Sequence, residues 1–183
     1  MTDYSTSLRT DLCGDLRVGD VGRQVTLCGW VDRRREHGEH LAFVDLRDRS
    51  GVVQLVIDGA HDLRSEYVLQ VTGTVRERPA DTANDGLATG AVEVDATDVT
   101  VLSTAEPPPF PLDDRIDVDE VLRLRHRYVD LRRPRMQRNL EVRARVNSAI
   151  RQAMEEQGFI EVETPMLIAS TPEGARDFVV PSR

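Results

Sequence analysis

The strongest constraint on the fold of this chain is a stretch of period-two patterning between residues 25 and 58, VTLCGWVDRRREHGEHLAFVDLRDRSGVVQLVID. It holds three strand candidates. Residues 25–31 alternate Val, Leu and Gly-Trp with smaller or polar side chains. Residues 41–46 read apolar, apolar, aromatic, apolar before the charged turn Arg47-Asp48-Arg49-Ser50-Gly51, and residues 52–57 resume a β-branched run with Gln54 set inside it. An extended backbone sends successive side chains to opposite faces, so each strand has a face to bury and a face to present. Arg33, Arg35, Phe43 and Gln54 fall on the presented side. Cations, an aromatic ring and an amide are what is needed to hold phosphate, stack a base and read a base edge.

The rest of the chain extends this pattern. Residues 1–24 are polar, with turn signals at Cys13-Gly14 and Val21-Gly22, and predict a frayed start with a short helix or turn. Residues 60–68 predict a short helix after the Asp58-Gly59 turn. Residues 69–78 predict a fourth strand ended by Pro79, and residues 91–102 a fifth. Five strands with a helix between the third and fourth is the element order of an OB-fold barrel, although another small β-barrel would read the same way. Residues 105–111, AEPPPFP, favour polyproline II and mark a domain boundary. Beyond it, residues 118–131 predict a helical segment capped by Asp117 or Asp119, and Pro134 closes that segment and can open the next helix. Residues 138–157 predict one amphipathic helix, with Val142, Val146, Ala149, Ile150, Ala153 and Met154 at helical spacing and Gly158 as its stop. A strand is expected over residues 159–162. The division read from the sequence is therefore a β-barrel over residues 1–104, a linker over 105–134, and the opening of a second, α+β domain over 135–183. Nothing in the chain is left to cover the apolar face of the 138–163 unit, which predicts self-association.

Composition narrows the function classes. Of 183 residues, 39% are hydrophobic, enough for one compact core and thin for two, and the net charge of −8 excludes a uniformly basic nucleic-acid binder. The 24 basic residues are all arginine, and they are unevenly placed. Residues 1–104 carry 11 arginines against 18 acids, whereas residues 121–152 carry 10 arginines against Asp130 and Glu141 alone. The arginine run from 123 to 151 reads either as a nucleic-acid patch or as partners for catalytic-domain acids that lie outside these residues, the second being preferred. Cys13 and Cys28 do not suggest a disulfide scaffold, and together with His37 and His40 they lack zinc-ligand spacing, so no metal site is expected. No apolar run approaches membrane-spanning length and the N-terminus has no signal-peptide core, so a cytoplasmic protein is expected.

Several stretches carry a family resemblance. Gly158-Phe159-Ile160-Glu161-Val162-Glu163-Thr164-Pro165-Met166-Leu167 resembles motif 1 of the class II aminoacyl-tRNA synthetases. Ser170-Thr171-Pro172-Glu173-Gly174-Ala175-Arg176-Asp177-Phe178 is a tighter match and resembles the bacterial-type aspartyl-tRNA synthetases. So do Cys28-Gly29-Trp30-Val31 with Arg33-Arg34-Arg35, Phe43-Val44-Asp45-Leu46-Arg47-Asp48, and Arg127-Tyr128-Val129-Asp130-Leu131-Arg132-Arg133-Pro134. The resemblance implies an N-terminal OB-fold that binds the tRNA anticodon, a hinge, and the start of a class II catalytic domain. In that family the catalytic domain activates aspartate with ATP and Mg2+ and transfers it to tRNA-Asp, in some members also to tRNA-Asn, as a homodimer. Motifs 2 and 3, whose arginines hold ATP, are not found in these residues. The 183-residue chain alone is therefore expected to be inactive and to bind neither ATP nor Mg2+. A non-catalytic OB-fold tRNA-binding module is the alternative from a different function class.

Site residues follow from the same resemblance. Phe43 matches the family's anticodon-stacking ring, although the residues alone favour a barrel-core Phe. Gln54 matches the reader of the central anticodon base and Glu93 a carboxylate at the third. Arg33, Arg35, Arg76 and Arg78 are candidate phosphate and base contacts. His37 stands in a loop lying against the anticodon in the family, where members that also charge tRNA-Asn tend to carry His and strict members an aliphatic residue. Glu173 matches the carboxylate that meets the α-ammonium of aspartate, and Pro165 the motif 1 dimer interface. No catalytic residue is assigned.

Overall fold

The computed structural model describes residues 6–37, 41–59, 62–167 and 180–181. The chain divides into two compact units, Met1–Phe110 and Pro111–Arg183.

The first unit is a closed barrel of five strands: β1 Gln24–His37, β2 Leu41–Arg47, β3 Val52–Asp58, β4 Val68–Glu77 and β5 Val92–Ser103. Their order around the barrel is β1-β2-β3-β5-β4, and β4 closes back on β1. All pairings are antiparallel except β3 with β5, which run parallel. This is the expected OB-fold barrel. Closure rests on the length of β1. Its first half, Gln24 to Trp30, pairs with β4, and its second half, Trp30 to His37, pairs with β2. The strand expected over residues 25–31 thus runs on past the Arg triplet, through a β-bulge between Val31 and Arg33. Inward side chains of every strand form one core: Val25, Leu27, Val31, Val44, Leu46, Val53, Leu55, Ile57, Leu69, Val71, Val75, Val92 and Val94. A single 3₁₀ turn at Cys13–Asp15 lies against the β2–β3 turn, where Cys13 N donates to Asp48 Oδ2 (2.8 Å) and Gly14 N to Ser50 Oγ (2.7 Å). A Cβ on Gly14 would sit 2.2 Å from Ser50 O, so only glycine fits there.

The helix expected over residues 60–68 does not form within its described part. Residues 62–67 are coil and turn. Their backbone is committed to β1: Glu66 N donates to Val31 O (2.8 Å) and accepts no helical geometry, with φ at 68°, while Val31 N donates to Tyr67 O (2.9 Å). Leu63 is buried against the barrel core instead of lining a helix.

In the second unit, the segment expected over residues 118–131 splits into α1 Glu120–Arg125 and α2 Arg127–Asp130. His126, at φ −113° and ψ 48°, leaves the helical region between them. Asp119 caps α1, its side chain accepting from Leu122 N (3.1 Å). Asp130 is fully buried and takes up two arginines of the basic run, Arg123 and Arg127, and their hydrogen bonds and charge hold its carboxyl below the usual carboxylate range. Helix α3, Pro134–Glu156, starts with proline in its first turn and ends in a Schellman motif. There Gly158 sits at φ 84°, its N donating to Glu155 O and Phe159 N to Met154 O. No strand forms at residues 159–162. A strand needs a hydrogen-bonding neighbour, and the second unit contains none among the described residues.

Candidate nucleic-acid interface

The bulge in β1 sets up the outer face of the barrel. Val25, Leu27, Gly29 and Val31 alternate inward, and the extra residue, Asp32, shifts the parity so that Arg33 and Arg35 point outward. They then meet outward residues of β2, because Arg33 pairs with Asp45 and Arg35 with Phe43. Two cross-strand rows follow. Arg33, Asp45, Gln54, Glu93 and Arg76 stand directly opposite one another across β1, β2, β3, β5 and β4. Beside them, Arg35, Phe43, Val56, Asp95 and Thr74 form the second row.

A hydrogen-bonded chain ties the rows together. Arg35 Nη2 donates to Asp45 Oδ1 (2.8 Å) and to Gln54 Oε1 (3.1 Å). Gln54 Nε2 donates to Glu93 Oε2 (2.8 Å), and Arg76 Nε donates to Glu93 Oε1 (2.9 Å). Arg76 Nη1 also reaches Asp95 (3.3 Å). Gln54 and Glu93 are buried although they belong to the outer face, because neighbouring side chains cover them. The Gln54 amide is thereby fixed: its oxygen is engaged by Arg35 and one of its N–H groups by Glu93, leaving one donor and one lone pair.

Arg78 is buried beside this chain. Its Nε donates to Val92 O (3.0 Å), while Nη2 is shielded from water with no hydrogen-bond partner among the described residues. Burial pushes its guanidinium pKa down, with Glu93 and Asp45 opposing that shift. Burial also pushes the Asp45 carboxyl up, against the pull of Arg35. The face therefore holds a buried cation with unused donor capacity, a preset amide and a partly exposed ring on one platform. An RNA base has polar edges and a π-face that such groups can engage.

The structure brings Arg33, Arg35, Phe43, Gln54, Arg76, Arg78 and Glu93 to one face. Phe43 is intermediate in exposure and is not among the core residues. Trp30 lies elsewhere on the barrel wall, paired with Arg47 and Val68. His37 is the last residue of β1, and its side chain lies outside the described residues, as does Glu173 entirely. Pro165 lies in an exposed non-helical segment of the second unit. Sequence reading missed Asp45, which stands between Arg33 and Gln54 in the first row. Period-two alternation from Phe43 places it on the presented face, and that was the signal available.

Comparison with known proteins gives this face its setting. Residues 25–102 match the family model of the OB-fold nucleic acid binding domain, and residues 119–183 match that of the tRNA synthetases of class II (D, K and N). Among curated relatives, the aspartate–tRNA(Asp/Asn) ligase of Moorella thermoacetica is 56% identical over 96% of this chain and 30% of its own length. That of Natranaerobius thermophilus is 53% identical over 96% of this chain and 31% of its own length. The chain thus spans about a third of the length of the curated relatives it matches. The barrel and the following segment also share their fold with solved structures. One is an aspartyl-tRNA synthetase from Entamoeba histolytica, with TM-score 0.78, 20% identity and coverage of 94% of this chain and 43% of that one. Another is an asparaginyl-tRNA synthetase from Pyrococcus horikoshii, with TM-score 0.76, 24% identity and coverage of 90% and 38%. An OB-fold barrel followed by the opening of a class II synthetase domain, at this level of identity to aspartate–tRNA ligases, places the chain in the class II aspartate, lysine and asparagine group of tRNA synthetases.

Proposed function

We propose that this chain is the anticodon-reading part, with the start of the catalytic domain, of an aspartate–tRNA ligase that charges tRNA-Asp and tRNA-Asn. The observation that carries this reading is the outer-face chain Asp45–Arg35–Gln54–Glu93–Arg76 beside Phe43. In it a preset amide, a partly exposed ring and a buried guanidinium converge on a barrel whose relatives are ligases of that kind. Phe43 stacks one base, Gln54 offers its remaining donor and lone pair to a base edge, and Arg78 Nη2 donates to an acceptor on the RNA. Glu93 accepts from a neighbouring base while holding Gln54 and Arg76. Arg33 neutralises backbone phosphate. His37, at the end of β1, stands beside the anticodon and tolerates both tRNAs, since an imidazole offers a donor and an acceptor where an aliphatic side chain would leave base polar groups unpaired.

For the whole enzyme the reading extends to aspartate, ATP and Mg2+, to a homodimer in which Pro165 and α3 take part, and to the cytoplasm. Glu173 receives the α-ammonium of aspartate, a carboxylate being the matching counter-ion. The described residues offer no group of three His, Cys, Asp or Glu side chains fit for a metal ion, so no step is assigned to Mg2+ here. None of the described helices is long and apolar enough to cross a membrane.

The test is binding of an RNA hairpin carrying the tRNA-Asp anticodon loop, set against the same stem with a scrambled loop, by fluorescence anisotropy. Preferential binding of the first is expected, with an affinity that falls as salt rises because phosphate contacts release counter-ions. Equal binding of both hairpins would refute the reading.

A further inference from the structure

We propose that Asp45 is a positioning residue of the RNA-binding face: by gripping Arg35 it holds that guanidinium on Gln54 and so sets the orientation in which Gln54 meets a base. The proposal rests on the anticodon-reading function above and adds to it a residue acting through another. Asp45 stands opposite Arg33 on one side and Gln54 on the other, next to the central Gln54 of the first row. Its side chain is only 16% exposed, whereas that of Arg35 is 47% exposed and free to swing without an anchor. One donor nitrogen, Arg35 Nη2, serves both Asp45 Oδ1 and Gln54 Oε1. Because Nη2 points its hydrogens at Gln54 Oε1, the Gln54 amide must turn its nitrogen to Glu93, as observed at 2.8 Å. Without the carboxylate, Arg35 is left with the longer bond to the uncharged amide oxygen Gln54 Oε1 (3.1 Å) as its hold on the strand. Glu93 would still draw the amide nitrogen, but the oxygen would lose its firm tether and the side chain could tilt, presenting its free donor and lone pair to a base in a mixture of positions.

The energetics of the carboxylate support this role. The charged groups facing Asp45 are Asp32, Arg33 and Arg35 of β1 and Arg78 beyond the end of β4, and burial outweighs the attraction of the three arginines. A carboxyl raised in the folded state binds protons more readily than in the unfolded chain. Stability contributed by that difference is present at low pH and is lost as pH rises through the raised value. Ionised Asp45 is thus kept at a cost to the fold, which is the expected mark of a group retained for a site and not for stability.

The experiment uses the 183-residue chain with Asp45→Asn, Arg35→Ala and the double variant. Asp45→Asn should melt no lower than wild type at neutral pH while binding the anticodon-loop hairpin about tenfold more weakly, the loss expected for one charge-assisted hydrogen bond. In the Arg35→Ala background the same substitution should have little further effect. The ratio of wild-type to Asp45→Asn affinity should shrink as pH is lowered and Asp45 becomes protonated, a change that a purely structural role would not produce. A lower melting temperature with no affinity loss, an undiminished effect of Asp45→Asn in the Arg35→Ala background, or a pH-independent ratio would overturn the assignment of Asp45. Failure of the wild-type chain to prefer the anticodon loop over the scrambled loop would instead remove the functional reading on which it stands.

Discussion

Replacing Phe43 by alanine separates a ring that presents itself to RNA from one that fills the barrel. Its neighbours in β2 point inward and are buried, Ala42 at 5% and Val44 at 0% exposure, while Phe43 alternates to the other face opposite Arg35 and Val56. Truncating it removes cross-strand packing on a partly exposed face, about 0.2–1 kcal/mol. A comparable truncation inside, Leu55→Ala, opens a cavity at a fully buried position paired with Val44 and Val94. That costs about 2–5 kcal/mol. With about 4–8 °C per kcal/mol for a domain of this size, Phe43→Ala should lower the melting temperature by less than about 8 °C, and Leu55→Ala by more. RNA binding should respond in the opposite order. Loss of one stacked base costs about 1–3 kcal/mol, or about 5- to 150-fold in Kd, whereas folded Leu55→Ala should bind nearly as wild type. Differential scanning fluorimetry and hairpin anisotropy on the same preparations measure both quantities. Phe43 is a barrel-filling ring and not an RNA-facing one if Phe43→Ala melts as low as Leu55→Ala and binds the hairpin normally at a temperature where it is folded.

Further outcomes can be measured on the same chain. Glu93→Gln removes the charge that Gln54 and Arg76 share, takes from Arg78 the stronger of its two opposing charges, and should cost about 1.5–3 kcal/mol in urea unfolding. Gly73→Ala would place a Cβ 2.4 Å from Asp95 O and 2.8 Å from Val94 Cγ1 where β4 meets the irregular part of β5, and should cost about 1–3 kcal/mol by overpacking. His37→Leu should weaken a hairpin with the tRNA-Asn anticodon loop more than one with the tRNA-Asp loop, and unchanged discrimination would rule His37 out as a determinant. On α3, Val142, Val146 and Ile150 are each at least 50% exposed at i, i+4 spacing, so Val146→Asp with Ile150→Asp should abolish concentration-dependent association in sedimentation velocity.

Much of the barrel was legible because strands announce themselves locally. Period-two alternation located all five to within a residue or two at most ends, and the Gly158 stop of α3 was read from one residue because a left-handed C′ position favours glycine. Local pattern failed where distant backbone intervened. Residues 62–67 have helix-compatible composition but bond to Val31 instead, and residues 159–162 have strand composition without a neighbour to pair with among the described residues. The full length of β1 was hidden for a similar reason, since the bulge at Asp32 only makes sense once β2 lies alongside.

The candidate site divides in the same way. Alternation alone determined which side chains β2 and β3 turn outward, and so selected Phe43 and Gln54, whereas Arg33 and Arg35 reach the same face only through the bulge at Asp32. What alternation cannot encode is register between strands, which depends on contacts far apart in sequence. The parallel pairing of β3 with β5 brings Gln54 against Glu93, 39 residues away, and that pairing decides that both are buried and that the amide is fixed at the centre of the row. The pattern of the chain was enough for the faces of the regular strands. Closing the barrel decided which residues on those faces touch, because only closure converts five independent patterns into one surface.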